Sequence, residues 1–234
     1  MKKFLIATVM LLGSISLVNA EQYRLGLSVL GGAFEVDGAK EVFSGDHAAD
    51  ASSTKVTKDA KDEKENAEGA FYLGNIFAEY VVNDQVAIGV SYSPTSAESE
   101  EVENKQNIGD LPEDDGNDNA STNKVKVAFE DLVTVYALAN LNDNLYGKVG
   151  FIQVELRTKE NLQTGGAYPD DTLHGYQIAL GYNKDLADGM FIRGEATYME
   201  IDGTTLKNTN DSTKSVSADG ITGMGAAISI GRSF

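Results

Sequence analysis

The stretch Gly223–Phe234, GMGAAISIGRSF, alternates between two kinds of side chain up to the last residue. One set is large and mostly apolar, and it consists of Met224, Ala226, Ile228, Ile230 and Phe234, with Arg232. The other set is small, and it consists of Gly223, Gly225, Ala227, Ser229, Gly231 and Ser233. A period of two with one apolar face is typical of a β-strand. Because the opposite face carries only tiny side chains, the pattern favours a narrow closed barrel over an open sheet in water.

The start of the chain predicts an export signal. Lys2 and Lys3 precede an apolar run, and small residues around Ala20 form a cleavage site. The run is shorter than the ~20 residues that a membrane-spanning helix needs. We therefore expect residues 1–20 to be removed and residues 21–234 to form one exported domain.

The composition of the chain narrows the functional classes. The formal net charge is −17, and removal of the two signal-peptide lysines makes it −19 (−17 minus 2), so nucleic acid is an implausible partner. The chain contains no cysteine, which excludes disulfides, thiol nucleophiles and thiolate metal sites. Twenty-four glycines, ten tyrosines and only three prolines fit a β-barrel, in which only alternate residues need to be apolar.

Seven further segments with strand-like alternation precede the last one. The eight segments lie at about 23–29, 69–82, 85–94, 124–139, 145–151, 176–182, 192–198 and 223–234. The fourth segment has Val, Leu and Tyr on both faces, so its two sides stay unassigned.

The gaps between these segments alternate in length. Three are short and rich in turn residues, at 83–84, 142–144 and 184–189. Four are long, at about 37–68, 95–123, 157–171 and 202–217. This order predicts an all-β fold, an eight-stranded antiparallel up-and-down transmembrane β-barrel with short periplasmic turns and four long outer loops. Both chain ends then lie on the periplasmic side, where Tyr80, Tyr182 and Phe234 would form an aromatic girdle.

The export signal, the rhythm of strands and turns, and the closing strand together resemble the eight-stranded outer-membrane barrels of the OmpA, OmpX and opacity-protein kind. Ile228, Ile230 and Phe234 are similar to the carboxyl-terminal signal that the barrel-assembly machinery reads in such proteins. The resemblance implies a monomer in the outer membrane of a Gram-negative bacterium, in contact with lipid and lipopolysaccharide. No peptidoglycan-binding domain is expected after the barrel. Known roles in this group are adhesion, structural integrity and passage of small solutes, and the fold alone does not choose among them.

Five charged residues fall on the faces that should point into the lumen: Arg24, Glu79, Lys148, Arg193 and Glu195. Buried charges are tolerated when they are paired and hydrogen-bonded. We interpret the five as a salt-bridged polar network that fills the lumen. The alternative is a narrow or gated polar channel.

The remaining candidates for chemistry are weak. The segment 95–123 is strongly acidic, but its PEDDGNDN run lacks the oxygen spacing of a calcium loop. His47 and His174 are the only histidines, they are not spaced as a metal pair, and no serine is clearly placed to use His174 as a base. We therefore predict no catalytic residue, no metal and no cofactor.

The leading hypothesis is a non-enzymatic outer-membrane barrel with a structural or surface-exposed role through acidic outer loops. One alternative is a small porin or a conduit for small polar or apolar solutes. A second is a soluble, lipocalin-like binding barrel, which would need its apolar faces inside.

Overall fold

The computed structural model describes residues 22–43, 65–99, 102–107, 120–161, 167–210 and 214–234. Eight antiparallel strands make up the fold: β1 (Tyr23–Phe43), β2 (Glu65–Asn83), β3, β4 (Ala120–Asn140), β5 (Leu145–Asn161), β6 (Asp171–Asp185), β7 (Met190–Lys207) and β8 (Lys214–Ser233). β3 consists of three segments along β4, namely Val86–Ser93, Ala97–Glu98 and Val102–Asn107. In this part of the chain, no helix has the length and hydrophobicity needed to cross a membrane.

Each strand pairs with the next one along the chain, and β8 pairs back onto β1. The closing pairs run from Arg24 opposite Ser233 to Phe43 opposite Lys214. Tyr23 and Phe234 also exchange two backbone hydrogen bonds, of 2.8 and 3.3 Å. The predicted eight-stranded antiparallel barrel is therefore confirmed.

Short connections join the strands at the end that carries Tyr23 and Phe234, which we call the inner end. Asn83 ends β2, and its Oδ1 accepts hydrogen bonds from the backbone N–H groups of Gln85 and Val86, both at 2.9 Å. Asn142 does the same for the turn between β4 and β5. Such side-chain-to-backbone bonds are why Asn is common in tight turns.

The outward faces of the strands form an apolar band. On β1, Leu25, Leu27 and Val29 are 52, 59 and 62% exposed, and Glu35 is the first outward charge. The stretch 25–33 rises about 3.3 Å per residue, so at a tilt near 40° it spans about 23 Å, close to the apolar band of such barrels. A lipocalin-like barrel needs its apolar faces inside and its polar faces outside, so the lipocalin-like alternative is wrong.

The strands are longer than expected. The sequence predicted spans of about ten residues, whereas β1 and β4 each have 21 and β8 has 20. The ranges 37–68, 95–123, 157–171 and 202–217 are therefore only partly loop, since strand residues occupy both ends of each. A paired ladder satisfies backbone groups in water as well as in lipid, so the strands continue beyond the apolar band.

A β-bulge explains why the faces of β4 could not be assigned. The pairs with β5 step from Glu130 opposite Glu155 to Val133 opposite Gln153, so β4 carries one extra residue there. Asp131 within the bulge has φ +52°. Because an extra residue reverses the alternation, odd positions face inward before the bulge and even positions after it.

Candidate functional site

The lumen divides into two regions of different chemistry. The inner region, which we call the plug, is polar and aromatic, and it contains Arg24, Phe77, Glu79, Tyr136, Tyr146, Lys148, Phe191, Arg193 and Glu195. The outer region, which we call the chamber, is apolar. The five charged residues expected to face the lumen all lie in the plug.

An ion pair between opposite walls lies at the centre of the plug. Arg193 of β7 donates from Nη1 and Nη2 to the two carboxylate oxygens of Glu79 on β2, at 2.6 and 2.8 Å. Tyr136 donates a further bond to Glu79 at 2.9 Å, and Asn183 accepts one from Arg193 Nε at 2.9 Å. Glu79 and Arg193 are only 3 and 6% exposed. A bidentate, fully hydrogen-bonded geometry is what a buried pair requires.

A second ion pair lies beside the first. Lys148 of β5 contacts the carboxylate of Glu195 on β7. Tyr146 donates to the other oxygen of Glu195, Oε2, at 2.9 Å, and Thr197 donates to Oε1, the oxygen that Lys148 contacts, at 3.2 Å. Arg24 is more distant, with 3.9 Å between its Nη1 and Glu79 Oε2. Four of the five predicted charges thus form two close pairs, and the fifth lies at the edge.

Aromatic rings enclose the Arg193 guanidinium. Its Cζ lies 4.5 Å from the ring centroid of Phe191, 5.4 Å from that of Tyr146 and 5.7 Å from that of Phe77. Arg stacks on aromatic faces because its planar charge is weakly hydrated. The rings therefore both bind the cation and occupy the cross-section around it.

Each large ring of the plug lies over a glycine on the neighbouring strand. The register pairs are Gly26–Phe77, Gly231–Phe191, Gly89–Tyr136 and Gly181–Tyr146, and together they use all eight strands. A Cβ on any of these glycines would approach the ring opposite to within 2.2–2.5 Å. The small inward-facing residues noted in the sequence thus leave the space that these rings occupy.

Sequence reasoning did not find the four aromatic members of the plug. Inward glycines and inward rings are both visible in the alternation, but their pairing depends on strand register. Had the register been known, the recurrence of Gly opposite an aromatic residue would have been the signal.

Among the residues that the structure describes, those that line the chamber are apolar, together with one glycine. Phe34, Phe71, Leu73, Val154 and Met199 are among its walls, and all five are buried. A partly open cavity of ≈ 50 Å³ lies between these residues. Leu132 and Met199 also line a second cavity of ≈ 50 Å³, which lies within the plug, so these two side chains separate the two cavities. The second cavity has polar walls, and its volume suits a few waters.

On the outer surface of β3, β4 and β5, charged side chains lie beyond the edge of the apolar band. Glu98 contacts Lys126, and its other oxygen accepts a hydrogen bond of 2.6 Å from Lys159. These two lysines lower the pKa of Glu98 to about 2, and Glu98 raises the pKa of Lys159. The groups are exposed, so each such pair contributes little stability.

The histidines do not come together. His174 lies on the outer surface of β6 and stacks on Phe151, with 5.5 Å between ring centroids. His47 and the acidic run at 112–119 lie outside the described residues. In the portion of the chain that the structure covers, no three His, Cys, Asp or Glu side chains form a potential metal site.

Several solved structures are similar to this chain. The Neisserial surface protein A is 12% identical, with 92% of this chain and 99% of that chain covered and a TM-score of 0.45. Outer membrane protein AlkL is 10% identical over 92 and 91%, also at 0.45. Outer membrane protein OprG from Pseudomonas aeruginosa is 11% identical over 90 and 97%, at 0.41. The sequence has no significant match among curated proteins. A family model described as "Outer membrane protein beta-barrel domain" matches residues 5–227.

Proposed function

The chain belongs to the outer membrane protein β-barrel domain family, and we propose that it is a closed, non-enzymatic member that acts through the end opposite its termini. In this proposal the barrel is an anchor in the outer membrane of a Gram-negative bacterium. The working surface is the water-exposed outer end.

The observation that carries the proposal is the plug. The Glu79–Arg193 pair joins β2 to β7 across the lumen, and aromatic rings surround it. Separating the two groups inside the barrel would leave two buried charges without partners, which costs several kcal/mol. A stable cross-section of this kind supports a closed barrel rather than a polar pore.

The lengths of the strands support a role for the outer end. β1 continues from Glu35, the first outward charge, to Phe43, and β7 continues from Glu200 to Lys207. These extensions hold a paired wall above the apolar band and carry the outer connections. A wall of this height would present a surface to another cell, a phage or a host.

Partners and assembly follow from the same proposal. Residues 1–20 would direct export and be removed. The barrel-assembly machinery would read the last strand, where Ile228 and Phe234 face outward. Lipid and lipopolysaccharide would then surround a monomer.

Single-channel recording in planar bilayers tests the closed lumen. We expect the wild-type barrel to show no stepwise conductance. A double variant, Glu79→Ala with Arg193→Ala, removes the central pair. It is the positive control, which shows that the recording would detect an open lumen. Reproducible openings of the wild-type protein would contradict the proposal in favour of a pore.

Labelling of intact cells tests the orientation. The chain has no cysteine, so an introduced thiol has no background. We expect Asp202→Cys, in the extension of β7, to react with a membrane-impermeant maleimide. Asn142→Cys, in an inner turn, is the matched control and should react only after lysis. The reverse pattern would place the working surface in the periplasm and refute the proposal.

A further inference from the structure

The polar cavity in the plug is lined by two buried polar side chains that have no hydrogen-bond partner among the described residues. Thr134 of β4 and Gln177 of β6 both face this cavity, and they are only 1 and 6% exposed. Their polar atoms are accessible from the cavity instead of being bonded to the protein. Buried hydroxyl and amide groups normally have a partner. The two side chains therefore indicate that the cavity holds a ligand or solvent.

Gly150 of β5 leaves the space between these two side chains. Its neighbours in the register are Tyr136 and Gln177. A Cβ at Gly150 would lie 2.8 Å from Thr134 Cγ2 and 3.2 Å from Gln177 Cγ. Lys148 is two residues away on the same inward face of β5, and it also lines the cavity. Three adjacent strands thus each place a hydrogen-bond donor around one glycine.

The carboxylates of the plug are already bonded, whereas several of its donors are not. Each carboxylate oxygen of Glu79 and Glu195 accepts at least one hydrogen bond. The Lys148 ammonium has three N–H groups, and among the described residues it contacts Glu195 and lies 5.1 Å from the ring centroid of Tyr136. At least one N–H of Lys148 remains for a ligand, as do those of the Gln177 amide. Such a set favours a ligand that accepts hydrogen bonds.

The charge of the plug indicates the sign of that ligand. Its ion pairs contain three cations and two carboxylates, which leaves one positive charge in excess (3 minus 2). Arg24 lies at the inner edge with its side chain 22% exposed, so water screens its charge only in part. Charge in a medium of low dielectric constant is costly unless an opposite charge balances it. One monovalent anion makes the total charge of the plug zero.

We propose that the cavity in the plug binds one small monovalent anion, which accepts hydrogen bonds from Lys148, Thr134 and Gln177. The cavity of ≈ 50 Å³ has room for about four waters. It can therefore hold a halide ion with one or two waters, or a small oxyanion such as nitrate. The anion is a structural ligand of the lumen and does not permeate, because the Glu79–Arg193 pair crosses the lumen beside it.

Side-chain amide NMR of glutamine tests the proposal in the refolded barrel. Residues 21–234 contain six glutamines. Gln177 lines the cavity, whereas Gln153 lies on the outward face of β5, between the buried Ile152 and Val154. The barrel is refolded at a series of sodium bromide concentrations, so that the anion need not pass the plug, and sodium gluconate keeps the ionic strength constant. Gluconate is too large for the cavity. We expect a saturable shift of the Gln177 amide signal with bromide or nitrate, and no saturable shift of Gln153.

Two variants locate the anion. Thr134→Val removes a hydroxyl donor at nearly constant volume, and Gly150→Ala fills the space between the donors. Each should weaken bromide binding about tenfold, since a hydrogen bond to the anion or the room for it is lost. Thr222→Val, on the outward face of β8, is the matched control and should leave the bromide response of Gln177 unchanged. Heat-modifiable migration in gels checks that each variant has folded.

A double variant tests the need for a cation. Lys148→Met with Glu195→Gln removes the ammonium without leaving a buried carboxylate unpaired, so the barrel should still fold. We expect the saturable bromide response of Gln177 to be lost, because only neutral donors remain.

Three results would overturn the proposal. The first is the same Gln177 signal in bromide, nitrate and gluconate, which would mean that the cavity holds water only. The second is an undiminished bromide response in the folded double variant, which would show that the Lys148 charge is not needed. The third is unchanged bromide binding in both folded Thr134→Val and folded Gly150→Ala, which would place the ion elsewhere.

Discussion

The plug and the chamber are built by the same strands, yet they close the lumen in opposite ways. In the plug, hydrogen bonds and rings determine each position, as the two bonds between Arg193 and Glu79 illustrate. In the chamber, apolar side chains pack around a cavity. Directional contacts leave few alternative arrangements, whereas apolar packing tolerates a void. We therefore expect the plug to be rigid and the chamber adaptable.

The largest effect is expected from breaking the central pair. Arg193→Met leaves the Glu79 carboxylate buried without its partner, so the free energy of unfolding should fall by about 3–5 kcal/mol. Urea unfolding in lipid vesicles measures this. Adding Glu79→Met should restore most of the loss, because no unpaired charge remains.

Arg232→Met is the matched control for that experiment. Arg232 is exposed and lies 5.4 Å from the ring of Phe234, so its loss should change the free energy of unfolding by no more than about 0.5 kcal/mol. If Arg193→Met cost as little, the plug would not be the rigid region.

The next effect concerns added volume in the plug. A Cβ at Gly181 would lie 2.2 Å from Tyr146 Cζ, and the ring cannot retreat because its hydroxyl bonds Glu195. Gly181→Ala should lower the free energy of unfolding by about 1–3 kcal/mol. Gly147→Ala is the control, since no heavy atom lies within 4 Å of its added Cβ. Equal unfolding midpoints for the two variants would contradict the prediction.

The same substitution in the chamber should be tolerated. A Cβ at Gly223 meets the terminal Cε of Met199 at 3.0 Å, and that atom can move. Replacing Gly by Ala also lowers the entropy of the unfolded chain, by about 0.4–1 kcal/mol. Gly223→Ala should therefore be neutral or slightly stabilising in the same urea experiment. A loss above about 1 kcal/mol would show that the chamber is as rigid as the plug.

The smallest effect is expected at the exposed cluster around Glu98. The folded-state pKa of Glu98 is about 2 and lies below the ordinary value of 4.5. The ion pairs of Glu98 therefore contribute to stability at pH values above 4.5. This contribution is lost as the pH falls through about 2. Wild type and Glu98→Gln should differ slightly in unfolding midpoint at pH 6 and should converge near pH 2. High salt should also reduce the difference, and a salt-independent one would argue against an exposed pair.

Sequence reasoning succeeded where a side chain's direction follows from alternation alone. Ile228 and Ile230 face outward, and Glu79 and Arg193 face inward, because successive residues of a strand point to opposite sides. It failed where one residue breaks the period. At Asp131 the bulge reverses the faces of β4, and an extra residue cannot be seen without the partner strand.

The sequence by itself determined an all-β transmembrane barrel, its eight strands, its inner turns and the inward placement of five charges. These properties are local, since they depend on period, turn residues and segment number. Only the tertiary structure decided which ring lies over which glycine, which carboxylate meets Arg193, and where the bulge in β4 lies. Those properties depend on register between strands far apart in the chain, and a one-residue slip would change every one of them.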